Sequence, residues 1–342
     1  MTSRTRAVRR PDTSVSDRDR KSPRTRRVVY SCALMIVGAA SVLTGCGSEQ
    51  LSSSPSSPVG TAGAATDGAP PCPTAPVAVV VSVDQWGDIA SQLGGACATV
   101  KTVLASSSVD PHDYEPSPAD AASFTGAKLV VVNGADYDHW ATELAATSAS
   151  SVPVIDAAEV TSTPEGANPH LWYSPSAVTR VADALTAELS KLDPEAATYF
   201  SGRRAAFSAT LQPYTSLIAK IRTSSVGKSY AATEGVFDYQ ASALGLVNRT
   251  PQGYRQAAAN ESDPSPADIA AFRTVLASRQ IDVLIYNTQT EGSIPEQIRT
   301  TAEQAGVPVV EVTETVPPGQ TSFVGWQDKQ LTALGEALGV AL

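Results

Sequence analysis

Residues 193–222 read DPEAATYFSGRRAAFSATLQPYTSLIAKIR. Asp193 suits a helix N-cap, and Pro194 suits the first helical position, where its missing N–H is not needed. Phe207, Leu211, Tyr214, Ile218 and Ile221 follow at spacings of 4, 3, 4 and 3, which is one face of a helix. From about Pro194 to Arg222 this predicts a helix roughly 40 Å long at ~1.5 Å per residue, with Pro213 as the place for a bend. On its N-terminal side, short apolar runs alternate with helical patterns. Val77–Val83, Val100–Leu104, Lys128–Val132 and Val152–Ile155 read as strands, and the stretches around Trp86–Leu93 and Trp140–Ala145 as helices. After Pro175 the run SAVTRVADALTAELSKL is amphipathic. On the C-terminal side, strands at Ser229–Thr233, Val283–Tyr286 and Val307–Val312 alternate with helices at Phe237–Leu244, Pro266–Ser278, Pro295–Ala305 and Gln327–Leu342. Short buried strands separated by helices imply parallel sheets. The expected fold class is α/β: two doubly wound parallel-sheet lobes joined by one long rigid helix, without a recognisable sequence repeat between the lobes.

The 342 residues are 42% hydrophobic and 17% charged, enough apolar surface for real cores. The net charge of −9 hides two opposed segments. Residues 1–45 hold ten Lys and Arg against three Asp, so the remainder holds fifteen basic and thirty-one acidic residues. A body that acidic repels phosphate backbones, which excludes nucleic acid as a natural partner. The basic N-terminus precedes an apolar run from Val28 to Leu43 that is short for a membrane span. With small residues behind it, the pattern is that of a secretory signal. Its Leu43-Thr44-Gly45-Cys46 ending resembles a bacterial lipobox, in which Cys46 would be acylated. Residues 1–45 are therefore expected to be removed. The Ser/Pro/Gly/Ala-rich residues 46–75 are expected to form a lipidated tether at the outer face of the cell membrane, which is the chain's one membrane contact. Residues 76–190, 191–227 and 228–342 are then the first lobe, the connecting helix and the second lobe. Cys72 and Cys97 remain for a disulfide, which an exported compartment favours. The absence of Cys-x-x-Cys argues against a thiolate zinc site.

The chain has three histidines. His112 lies in VDPHDYEPSP directly after a strand, and His170 lies in NPHLWYSP. Each follows a proline that restricts the local backbone. Each lies at the exit of an α/β unit, where ligands bind in such folds. A loop histidine is ordinarily a solvated side chain, but two in such similar settings point to metal ligation. His139, in DYDHW, reads as structural or exposed.

DPHDYEPSP (110–118), VVVNGADYDHW (130–140), NPHLWYSP (168–175), ATEGVFDYQASALGL (232–246) and YNTQTEG (286–292) occur in the order seen in the metal-binding proteins of bacterial ABC importers. The chain resembles those zinc and manganese uptake lipoproteins over about residues 77–342. The resemblance implies an extracytoplasmic binding protein, not an enzyme, that carries one divalent transition-metal ion, zinc or manganese, to an importer permease. It also implies two lobes with the ion between them, and we expect a monomer. It assigns His112 and His170 as ligands, and Glu234 at a third position where relatives place His or Glu. The fourth ligand of the family is usually Asp after the strand at Val283–Tyr286. An ungapped match puts Glu291 there, with water or a carbonyl oxygen of Asn287 or Gln289 as substitutes. Asp113, Glu115 and Asp238 are candidates to orient ligands or to cap loops and helices. Trp172 and Tyr173 are expected to pack beside the site, and Trp86, Trp140 and Trp326 in the core.

The stretch after His112 lacks the His-rich loop often seen in zinc importers. Two nitrogen and two carboxylate ligands incline the cargo slightly toward manganese. Two alternatives stay open: a metal-dependent hydrolase using His112, His170 and Glu234, and a surface adhesin as a secondary role. The hydrolase lacks supporting motifs such as His-Glu-x-x-His.

Overall fold

The computed structural model describes residues 70–106, 109, 111–112, 114–290 and 292–342. The expected signal segment, Cys46, Asp113 and Glu291 lie outside the described residues.

Strand β1 (Val77–Val83) is buried on both faces, as a central parallel strand must be. It is followed by α1 (Asp84–Gly94), β2 (Ala98–Leu104), α2 (Pro118–Phe124), β3 (Leu129–Val132), α3 (His139–Ser148), β4 (Val154–Asp156), α4 (Ala157–Thr161) and α5 (Pro175–Leu192). The four strands form a parallel sheet of order β2-β1-β3-β4. Beyond the linking helices come β5 (Ser229–Ala232), α8 (Asp238–Leu244), β6 (Val247–Asn248), α9 (Gln252–Ala259), α10 (Pro266–Ala277), β7 (Val283–Asn287), α11 (Ser293–Ala305), β8 (Val309–Val312) and α12 (Phe323–Ala337). Their sheet has the order β6-β5-β7-β8, again all parallel. The two lobes thus share one topology, although their sequences do not show it.

The linking segment is the long helix expected, bent in its middle beside Pro213. A short 3-10 turn at Pro194–Ala196 leads into α6 (Ala197–Thr210), and α7 runs from Gln212 to Ser225. The bend falls at Leu211, because Pro213 has no N–H to give to the turn before it. The break falls where the packing changes. The first half, α6, lies on α1 and α5 of the first lobe, whereas α7 lies on α8 and α12 of the second. Phe207, Leu211, Tyr214 and Ile221 are all buried, on the face that the spacing marks out.

Both sheets belong to one compact unit, and a single apolar core runs through them. Within β7 the alternation separates two layers. Val283 and Ile285 face that shared core, while Leu284 joins Phe272, Leu276 and Ile298 under α10 and α11. Cys72 is joined to Cys97, with their Cα atoms 5.0 Å apart, at the turn before β2.

Candidate metal centre

Because its strands are parallel, each sheet gathers its carboxyl ends on one edge, where open α/β sheets hold ligands, and residues just beyond those ends meet. His112 follows β2, Glu234 follows β5, and Glu314 follows β8 by two residues. His170 precedes the turn that leads, through the cap Ser174, into α5.

His170 is the best defined of these groups. The Asn168 amide nitrogen donates to the Gly235 carbonyl at 2.7 Å, so its Oδ1 must face the other way. That oxygen accepts from the His170 backbone N–H at 3.0 Å and lies 2.7 Å from Nδ1. Nδ1 therefore carries a hydrogen, and in the neutral ring the lone pair is on Nε2. Nε2 lies 2.7 Å from Oε1 of Glu314 and 3.8 Å from Oε1 of Glu234. One ligand atom from each of the three lies within 4.8 Å of the others. A ring nitrogen and two carboxylates gathered this closely suit a divalent cation.

The carboxylates are fixed from behind. Glu234 Oε2 accepts from Asn287 Nδ2 at 2.8 Å and from the Thr290 hydroxyl at 2.5 Å. Burial works to raise the Glu234 carboxyl, but the neighbouring His170 charge, then Thr290 and Asn287, outweigh it and the net shift is downward. Gln289 Oε1 accepts from the backbone N–H groups of Glu314 and Thr315 at 2.6 and 3.0 Å. Gln85, from α1 of the first lobe, donates to the Glu314 carbonyl at 2.9 Å. Asn287 and Gln289 thus aim their amides at supporting bonds.

His112 stands beside this cluster. Its ring centre is 6.5 Å from that of His170, and Tyr137 meets it edge-on at 4.8 Å. His112 thus adjoins the cluster of His170, Glu234 and Glu314 without being one of the three. The Pro111 carbonyl before it accepts from Trp140 Nε1 at 3.2 Å. Tyr114 behind it donates to Asp120 at 2.7 Å.

Tyr137 is held between the histidines by a left-handed turn. Gly134, Ala135 and Asp136 all have positive φ, and a Cβ at Gly134 would run into the Asp156 carboxylate. The buried Asp138 accepts from the N–H groups of Asn133 and Gly134 at 2.7 and 2.9 Å, which closes that turn. Trp172 packs 5.4 Å from the His170 ring, and the Tyr173 hydroxyl donates to the Thr313 carbonyl at 2.7 Å, next to Glu314. His139 is exposed at the start of α3 and Glu115 is exposed, while Asp238 accepts from Tyr230 at 2.6 Å. Trp86, Trp140 and Trp326 are buried.

The structure therefore brings His170 and Glu234 together, places His112 beside them, and adds Glu314 and Tyr137, which were not expected. Glu314 had a signal: it is the one acid just beyond the carboxyl end of β8. Its neighbour Glu311 makes VEVTE read as an ordinary half-exposed strand, and that masks it.

A family model described as "Zinc-uptake complex component A periplasmic" matches residues 79–337. Among curated proteins, the chain is 24% identical over 215 residues to the high-affinity zinc uptake system protein ZnuA of Bacillus subtilis, a match that covers 57% of this chain and 66% of that one. It is 26% identical over 192 residues to the manganese-binding lipoprotein MntA of Halalkalibacterium halodurans, covering 55% and 57%. The matches thus span less than two thirds of these relatives' own lengths. Among solved structures, the periplasmic zinc-binding protein TroA from Treponema pallidum superposes with a TM-score of 0.64 at 21% identity, over 77% of this chain and 99% of that one. FpvC from Pseudomonas aeruginosa in complex with Mn2+ gives 0.63 at 21%, over 77% and 98%.

Proposed function

Because the chain belongs to the family of periplasmic zinc-uptake component A proteins, we propose that it is an extracytoplasmic solute-binding protein that captures a divalent transition-metal ion and delivers it to an ABC importer. The observation that carries this reading is the buried His170–Glu234–Glu314 cluster, with His112 adjoining, at the meeting of two parallel sheets. The family is one of binding proteins and not of enzymes.

The ion is the cargo. The proposed ligands are Nε2 of His170, an imidazole nitrogen of His112, and carboxylate oxygens of Glu234 and Glu314. Glu291, which the ungapped match suggested, competes with Glu314 for the fourth position. Asn168 sets the His170 tautomer, and Asn287 and Thr290 turn Glu234 inward. Two nitrogens and two hard oxygens accept either zinc or manganese, and the Irving–Williams order makes zinc at least as tight in vitro. Which metal is carried in the cell depends on supply, and the carboxylate share of the site inclines it toward manganese.

The proposed anchoring is through acylated Cys46, with the two lobes acting as a monomer at the outer face of the membrane. No helix among the described residues is long and apolar enough to cross a membrane. The experiment for the central reading is metal titration of the purified, chelator-stripped chain with zinc and with manganese, followed by elemental analysis. One tightly held ion per chain is expected, and a chain that stays metal-free overturns the reading.

A further inference from the structure

We propose that Glu261 orients His112 for the ion, so that a carboxylate of the second lobe prepares a ligand of the first. This rests on the metal-carrier reading above and extends it to a residue outside the ligand cluster. Oε1 of Glu261 lies 3.1 Å from Nδ1 of His112. A carboxylate can only accept, so a hydrogen bond across this pair requires the hydrogen on Nδ1, which in a neutral ring leaves the lone pair on Nε2. The arrangement parallels Asn168 and His170, where Nδ1 is likewise the occupied nitrogen.

The two partners differ in kind. Asn168 is a neutral amide close in sequence to the histidine it serves. Glu261 is an acid that reaches His112 from the other lobe. A carboxylate behind a ligand imidazole makes it a stronger donor, and removing such a partner ordinarily weakens metal binding by about 10- to 100-fold.

Position supports this role. Glu261 lies two residues past the end of α9 in a left-handed conformation (φ +50), and its N–H donates to the Ala258 carbonyl at 3.1 Å. It lines the same cavity of about 840 Å³ as Glu234 and Glu314. The side chain is 59% exposed while that of His112 is 16% exposed, so the contact closes over the histidine from the solvent side. On the far side, Tyr137 limits the ring's rotation.

The test is zinc titration, by competition with a chromophoric chelator, of the wild type, Glu261→Ala, Glu261→Gln, His112→Ala and the double variant His112→Ala/Glu261→Ala. Glu261→Ala is expected to weaken zinc by 10- to 100-fold. Glu261→Gln keeps an acceptor oxygen and is expected to recover most of that loss. In the His112→Ala background, removing Glu261 is expected to change affinity by less than about 2-fold, because the two act through one contact. Nitrogen chemical shifts of the His112 ring report the tautomer independently: the Nδ1–H form is expected in the wild type and a mixture in Glu261→Ala. A wild-type affinity in Glu261→Ala, or an equal loss with and without His112, overturns the proposal while leaving the carrier reading intact. A wild type that takes up no zinc or manganese overturns the carrier reading itself.

Discussion

Nε2 of His170 and Oε1 of Glu314 are 2.7 Å apart, yet they come from different lobes and are separated by 144 residues. An ion bound by both would join the lobes through the same two atoms. Either His170→Ala or Glu314→Ala is expected to reduce zinc affinity by at least about 100-fold, roughly 3 kcal/mol. Competition titration measures this. Wild-type affinity in the Glu314 variant would remove that residue from the site.

The two candidates for the fourth ligand can be compared directly. Glu314→Ala is expected to cost far more affinity than Glu291→Ala for zinc and for manganese alike, in parallel titrations. The reverse order would return the fourth position to Glu291.

Protons compete with metal for the imidazoles. A protonated imidazole has no lone pair left for an ion, so affinity is expected to fall on acidification. Calorimetry at pH 7.5 and 5.5 would show the fall, together with proton release on binding. Affinity independent of pH over that range would argue against histidine ligands. Zinc is expected to bind at least as tightly as manganese throughout.

Asp84 bears on stability and not on metal. Burial raises its carboxyl from the ordinary 3.8 to about 6, against the opposing hydrogen bonds from the Val316, Gln85 and Asp84 backbones. A folded value above the unfolded one means that its contribution is fully present below about pH 4 and is lost as pH rises through 6. Asp84→Asn is therefore expected to stabilise the chain by about 1–2 kcal/mol at pH 7.5 and to change little at pH 4. Urea melts at the two pH values check the sign.

Reduction of the Cys72–Cys97 bond releases a loop with a sequence separation of 25. Chain entropy predicts a loss of roughly 3–4 kcal/mol at most. Denaturation with and without reductant, compared with the Cys72→Ser variant, measures it.

Much of the architecture was legible because it rests on periodicity. The spacing of Phe207, Leu211, Tyr214 and Ile221 marked the buried face of the linking helices, and Pro213 marked their break. The apolar runs of β1, β3 and β7 marked central strands. The short elements were not legible. Strand β6 has two residues, and α4 and α9 carry too few apolar positions for a period to show. The shared strand order of the two lobes is a property of connection and leaves no mark on residue type. In the site, the proline-histidine strings pointed to His112 and His170 because histidine is rare here. Glu314 is one acid among many, and only folding distinguishes it, by burying it against His170. Asn287 was a substitute for the fourth ligand through a carbonyl oxygen; its side-chain amide donates to Glu234 and accepts from the Gln289 N–H.

The disulfide also decides how the molecule bears tension. A pull applied to the chain upstream of Cys72 passes through sulfur to Cys97 and enters the fold at the head of β2, the edge strand of its sheet. Strand β1 and helix α1 lie on the bypassed stretch. The central strand is thereby spared the load, and Gln85, which reaches from α1 to the Glu314 backbone, keeps its place while the body is tugged.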